Sequence, residues 1–518
     1  MIVFEWIIGI LLVAVLLSQL AKRLGVPYPA LLALGGVVLA FTPGAPRIIL
    51  EPELALALFL APVLLDAAFD TSPRDLKDNW LPVTCLVLVA VGLTTAAVAT
   101  VAHLLSGMPW AVAIALGAIV APPDAAAATA VLRQVRLPHR ILTILEGESL
   151  LNDASALLIY RGAVIAASSS SFSIADAVPS FALSVIGSVI LGWISAHISL
   201  RVLIAMRRGG DTPSNIILQF ITTFGVWLLA DRLGLSGVLT IVSYAITAAR
   251  QAPATTPARL RVPSYAVWET TVFVLNVLAF VLIGLQIGPI VENLQPEQRL
   301  SYVGIASAVL ATVILVRIAW VMSYNAAARW HIRRFGFHPV RPMMAPTVKG
   351  GVIISWCGMR GIVTLATALA LPNGDGGAGF PFRDLIVFTA FCVVLGTLVI
   401  QGLTLRPLLA RLDLHDDDPV GREVDQARRV AYSSAIAALD GDASAPGEAL
   451  RLQFQTLMRA NSGTSPGEPS RWSADGQHML AVRAARRALL AMRSSGEIGD
   501  DAFHRLEEEL DRIELSAT

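Results

Sequence analysis

The sequence predicts an all-α polytopic membrane protein: about 13 transmembrane helices followed by a small helical tail. Three observations carry this reading. The 518-residue chain is 55% hydrophobic and only 15% charged, whereas a soluble domain of this size carries about 25% charged residues. Apolar runs of spanning length recur from residue 2 to residue 409. Lysine and arginine gather in every second loop. A formal net charge of +1 leaves no basic surface for nucleic acid.

The runs follow in order. Run 2–20 has Lys22 and Arg23 after it rather than before it. That reverses the order of a cleavable signal, so it reads as a retained helix with its amino terminus outside. Run 29–41 is short. Run 54–69 carries Asp66, and run 81–105 is free of charge. Run 110–131 is interrupted by Pro122-Pro123, and run 141–160 holds an acidic cluster. Runs 177–206, 215–230 and 235–249 end at or just before charged residues. Runs 266–287, 302–328, 350–371 and 385–409 complete the set, the last two separated by a glycine-rich stretch. Alternate loops, beginning with Lys22 and Arg23 and ending with Arg329 to Lys349, hold about 18 basic residues against about five in the others. A miscounted helix scrambles such an alternation, so the carboxyl terminus is expected in the cytoplasm.

Cys85, Cys357 and Cys392 all sit in apolar runs and offer neither a disulfide framework nor zinc spacing. Lysine is nearly absent beside abundant arginine and alanine, which suggests a bacterium with a GC-rich genome and hence the bacterial inner membrane. After Leu412 the composition turns soluble, at His415-Asp416-Asp417-Asp418-Pro419. The expected domains are therefore a membrane unit, 1–412, and a cytoplasmic tail, 413–518. In the tail, 423–439 and 479–513 read as amphipathic helices, the second broken near Ser494-Ser495-Gly496, with a linker over 461–475. The tail regulates transport, helps assembly or is a passive appendage.

Charges at bilayer depth cost roughly 2.5–3.5 kcal/mol each on insertion scales. Asp66, Asp124, Glu146, Glu148, Asp153 and Arg360 all fall inside apolar runs. Such residues mark an ion or proton pathway, or hold helices together as buried pairs. Pro122-Pro123 breaks its helix just where Asp124 stands. Broken helices expose carbonyls and helix-end dipoles that bind ions. Ser149 and Asp153 are four apart and share a helix face, with Asn152 beside them. Two carboxylates, a hydroxyl and an amide suit a small hard cation. Close carboxylates in a low dielectric also hold protons. A site that takes either is the minimal chemistry of an antiporter.

These residues resemble a known family. Gly147-Glu148-Ser149-Leu150-Leu151-Asn152-Asp153 is similar to the signature of the monovalent cation/proton antiporters, in their bacterial NhaP-like, electroneutral branch. Residues 121–128 resemble that family's Thr-Asp-Pro segment, 356–363 its Gly-Leu-Arg-Gly segment, and 64–69 its acidic third helix. The matches come in family order and span the membrane domain but not the tail. The resemblance implies two inverted six-helix repeats with broken crossing helices, a mobile ion-carrying core, a dimerisation domain and a homodimer. It implies that Asp153, Asp124, Ser149 and Asp66 ligate a monovalent cation, sodium first, with lithium or potassium next. Asn152 stands where electrogenic relatives carry aspartate, implying one-for-one exchange. Glu148 and Arg360 resemble the family's buried structural ion pair. The cation and the proton are substrates, and no cofactor is expected. Three departures are visible: Pro123 replaces the threonine, Ala125 the proline, and Asp66 a glutamate.

Other signals weigh less. Residues 374–379 fit G-x-G-x-x-G but follow a membrane helix, so they read as a turn. His103 and His197 read as packed or interfacial, and Arg317 as a core brace or a snorkelling residue ranked below Arg360. An intramembrane hydrolase would also use paired carboxylates, but leaves Arg360 and the proline break unexplained. A channel builds its filter from rings in an oligomer, whereas one chain here holds a complete site.

Overall fold

The computed structural model describes residues 2–43, 51–124, 137–168, 174–206, 212–292, 294–336, 345–372, 379–412, 414, 418–440, 445–460 and 476–516. The expected segments at 125–128, 374–378 and 461–475, and residues 415–417 of the polar break, lie outside them. The described residues are helical, with no strand among them.

The membrane helices are α1 (Ile2–Leu24), α2 (Tyr28–Ala40), α3 (Pro52–Asp70), α4 (Pro73–Asp78), α5 (Trp80–Ser106), α6 (Trp110–Val120), α7 (His139–Ser168), α8 (Ile174–Met206), α9 (Thr212–Arg232), α10 (Gly237–Thr255), α11 (Ala258–Leu285), α12 (Ile287–Glu292), α13 (Arg299–Phe335), α14 (Val348–Trp356), α15 (Ile362–Leu369) and α16 (Arg383–Leu412). Eight helical stretches among the described residues are long and apolar enough to span a bilayer. α2 and α6 are apolar but shorter, and α14 and α15 are the two halves of one interrupted pass. Many exposed side chains on the spanning helices are large and apolar, such as Leu12, Leu183, Ile221 and Leu315, as a lipid-facing surface requires.

Packing divides these helices into two bundles. One joins α5, α6, α7, α13, α14, α15 and α16; the other joins α1, α2, α3, α8, α9, α10 and α11. They meet along an apolar seam where Leu60 and Leu64 of α3 pack with Leu150 of α7 and Val363 of α15. α3, which carries Asp66, therefore lies on the boundary beside the first bundle. Within α5, a π-helical turn at Cys85–Ala90 lets the Val87 carbonyl accept from Ser155 Oγ at 2.8 Å. That bond pins α5 to α7.

Four more helices follow: α17 (Pro419–Ala438), α18 (Ala445–Ala460), α19 (Gly476–Ser495) and α20 (Asp500–Ser516). They share their own apolar core around Tyr432, Phe454, Leu489 and Phe503. Gly496, at φ +75°, turns the chain between α19 and α20. α18 was not among the expected helices. This unit docks on the ends of both bundles. Arg74 Nη2 donates to both Glu423 oxygens at 2.7 and 2.9 Å. His139, at the start of α7, lies 3.3 Å from Asp75 and 3.3 Å from Asp501. Arg261 of α11 pairs with Asp511 and, at 3.1 Å, with Glu507. Arg493 Nη1 donates to the Ala249 carbonyl at 3.2 Å.

Candidate functional site

α6 stops at Val120 because Pro122 and Pro123 have no N–H to continue it. The second break runs from Cys357 to Gly361, between α14 and α15. The two breaks cross: the Asp124 N–H donates to the Met359 carbonyl at 2.7 Å. Asn152 of α7 ties into the same point, its Nδ2 donating to the Pro123 carbonyl at 2.7 Å. The departure from threonine at 123 thus leaves the backbone carbonyl in use.

A helix that stops in a membrane leaves carbonyls unpaired and a partial negative charge at its end. Each break is covered by one arginine. Arg360, 1% exposed, donates from Nε to the Val120 carbonyl at 3.0 Å and from Nη2 to Ala121 at 3.2 Å, with Nη1 on Gly358. Its backbone N–H donates to Thr397 Oγ1 at 3.0 Å. Arg317 Nη2 donates to the Ile354 carbonyl at 3.0 Å, near the end of α14.

This arrangement corrects the expected ion pair. Glu148 does not pair with Arg360; it pairs with Arg317, at 2.5 and 2.8 Å. Arg360 is occupied by the carbonyls of the broken ends. A Cβ at Gly358 would strike the Arg317 side chain, and one at Gly361 would overlap the Asp124 carboxylate. Both glycines are therefore spaces filled by functional groups.

Asp153 is buried on α7, and its carboxylate is within electrostatic reach of Asp124. Ser149, one turn earlier, is half-buried, as is Asp124. Asn152 is fully buried, and its Oδ1 has no hydrogen-bond partner among the described residues. The structure thus brings together Asp124, Asp153, Asn152 and Arg360, with Glu148–Arg317 alongside. Asp66 and Glu146 are half-buried on α3 and α7. Sequence reasoning ranked Arg317 too low and missed Thr397. Arg317 carried a signal, a lone cation inside an apolar run, but Thr397 carried none. His103 packs flat on Trp110 with centroids 4.4 Å apart, as an interfacial histidine does.

Among the described residues, the charged groups at the crossing are Glu148, Asp153 and Asp124 against Arg317 and Arg360. With all ionised, one negative charge is left over. Beside that excess lie the carboxyls of Asp124 and Asp153, with Ser149 one helical turn from Asp153 and Asn152 tied to the Pro123 carbonyl. Such a set accepts one small cation or one proton.

Residues 8–411 match the family described as "Sodium/hydrogen exchanger, transmembrane". The chain is 28% identical to the "Sodium, potassium, lithium and rubidium/H(+) antiporter" of Bacillus subtilis (strain 168), over 98% of this chain and 77% of that one. It is 28% identical to the "Low-affinity Na(+)/H(+) antiporter NhaS1" of Synechocystis sp., over 84% of this chain and 80% of that one. Among solved structures, the sodium proton antiporter MjNhaP1 from Methanocaldococcus jannaschii at pH 8 superposes with a TM-score of 0.57 at 18% identity, covering 80% of this chain and 99% of that one. That likeness is one of fold.

Proposed function

Because this chain belongs to the sodium/hydrogen exchanger family, we propose that Asp153 and Asp124 are its cation- and proton-carrying carboxylates. The chain is a multi-pass membrane protein that exchanges a monovalent cation for protons, a transporter and not an enzyme. Ser149 and the Asn152 Oδ1, which has no hydrogen-bond partner among the described residues, complete the oxygen set, and Asp66 of α3, across the seam, is assigned to it as a neutral ligand outside the charge count. Sodium is the first cation assigned; lithium and potassium are the alternatives a flux assay separates.

One relationship carries the reading: among the described residues at the crossing of the two breaks, three carboxyls stand against two guanidinium groups, one negative charge in excess. One cation neutralises it, and so does one proton. Either loaded form crosses a closed, dry intermediate at low cost, whereas the empty form carries a bare charge. Exchange is then one-for-one and electroneutral, by alternating access. The bundle holding α6, α7, α14 and α15 moves as the core against the other, which serves as scaffold and homodimer face. About 13 passes in two inverted six-helix repeats accommodate this division. The membrane unit covers residues 1–412 and the tail 413–518. The basic loop ends and the tail lie on the cytoplasmic side of a bacterial inner membrane, with the amino terminus outside.

The test is proton flux in proteoliposomes with an imposed pH gradient, adding Na⁺, Li⁺ or K⁺ in turn, with and without a voltage clamp. Cation-dependent, voltage-insensitive dissipation is expected for the parent chain. Asp153→Asn is expected to abolish it while the protein remains inserted. Exchange surviving in Asp153→Asn sinks the ion-site assignment.

A further inference from the structure

α5, α7, α13 and α14 line a half-open pocket of about 250 Å³ in the ion-carrying bundle, away from the crossing of the breaks. Its walls are apolar, with Leu86, Ile144 and Ile354 among them. Its charged lining is of one sign among the described residues. Arg140 and Lys349, each the second residue of its helix, line it, and no carboxylate does among the described residues. Arg140 Nε donates to Asn79 Oδ1 at 3.1 Å, and Lys349 is exposed. Asn325 also lines the cavity; its Nδ2 donates to the Thr347 carbonyl, while its Oδ1 is buried without a hydrogen-bond partner among the described residues.

We propose that this cavity binds an anionic phospholipid of the cytoplasmic leaflet, with an acyl chain among the apolar walls and the phosphate at Lys349 and Arg140. The choice of leaflet rests on the orientation proposed above; the binding chemistry does not. Basic pockets between transmembrane helices on the cytoplasmic side take anionic headgroups. The amino-terminal end of α14 adds a positive dipole end beside Lys349. The occupied cavity braces α7, which carries Asp153, against α14, the first half of the broken pass.

The experiment uses the full-length chain in mixed micelles of phosphatidylcholine, with or without phosphatidylglycerol. Retained lipid is read by native mass spectrometry and thermal stability by fluorescence-detected gel filtration. Phosphatidylglycerol is expected to be retained and to stabilise the parent chain over phosphatidylcholine. Lys349→Gln is expected to weaken retention about fivefold, the factor one basic residue contributes at an anionic surface. Leu86→Trp, which fills the wall without altering charge, is expected to exclude the lipid. Arg334→Gln removes an exposed cation of α13 that does not line the cavity, and is expected to change nothing. Equal retention of the two lipids overturns the proposal, and so does equal loss in Lys349→Gln and Arg334→Gln. If Leu86→Trp does not fold, Lys349→Glu at its exposed position decides alone: undiminished retention there rejects the site.

Discussion

Arg317 holds Glu148 with both terminal guanidinium nitrogens, at 2.5 and 2.8 Å, across 169 positions of sequence. Both side chains are almost wholly buried. Removing one partner of such a pair leaves an uncompensated charge and costs about 3–5 kcal/mol. Arg317→Ala is therefore expected to lower folded yield and melting temperature sharply in detergent. Removing both charges, as in Arg317→Met with Glu148→Gln, is expected to recover much of that loss. If Arg317→Ala melts with the parent chain, the pair is not what holds α7 to α13.

Asn152 gives a second prediction. Its Nδ2 donates to the Pro123 carbonyl, while its Oδ1 is buried without a hydrogen-bond partner among the described residues. An ionised aspartate has no proton to give, so Asn152→Asp sets a carboxylate against a carbonyl oxygen. The lost bond and buried repulsion cost about 1–3 kcal/mol. The variant is expected to melt lower and to exchange more slowly. A voltage-sensitive flux with unchanged melting would show that the amide tunes stoichiometry and does not staple the break.

Gly361 gives the third. A methyl there would occupy the place of the Asp124 carboxylate. Its φ of −137° lies in the extended region open to any residue, so Gly361→Ala adds crowding and no backbone strain. Exchange is expected to fall by an order of magnitude or more, since about 1.4 kcal/mol of misplacement is already tenfold. Melting is expected to change less than in Arg317→Ala. A variant with full activity would place the working Asp124 rotamer elsewhere.

The legible parts of this protein are its local properties. Pro122-Pro123 breaks a helix in any fold, so the break at Asp124 was readable. Ser149 and Asp153 share a face because four residues make about one helical turn. The partner of Glu148 was not readable: Arg317 and Arg360 cost the same in a hydropathy scan, and only the packing of α7 on α13 decides between them. α18 was missed because Ala445-Pro446-Gly447 reads as a turn, while its helix depends on Leu450 and Phe454 packing into the tail core. Arg261 counted as one loop charge among many, yet it is 3% exposed and paired with α20.

That docking sets the last prediction, which concerns pH. Burial raises the carboxyls of Asp501 and Asp511 above their ordinary 3.8, His139 opposing at Asp501, and Arg261 and Arg486 opposing at Asp511. Burial lowers His504, but the hydrogen bond and charge of Glu507, with Asp70 nearby, lift it above 6.5 overall against Arg493. All three groups bind protons more tightly in the docked tail than in water. The carboxyl contribution is complete below 3.8 and is lost as pH rises through the raised values. The His504 contribution is complete below 6.5 and is lost as pH rises through its raised value. Docking therefore weakens as pH climbs. Hydrogen exchange of the α20 amides, corrected for intrinsic rate, is expected to quicken from about pH 6 to about pH 8, the range where a histidine titrates. His504→Gln is expected to reduce that rise, and the double variant with His139→Gln to flatten it, because both histidines stand at this interface. A rise that persists unchanged in His504→Gln assigns the titration to another group at the interface.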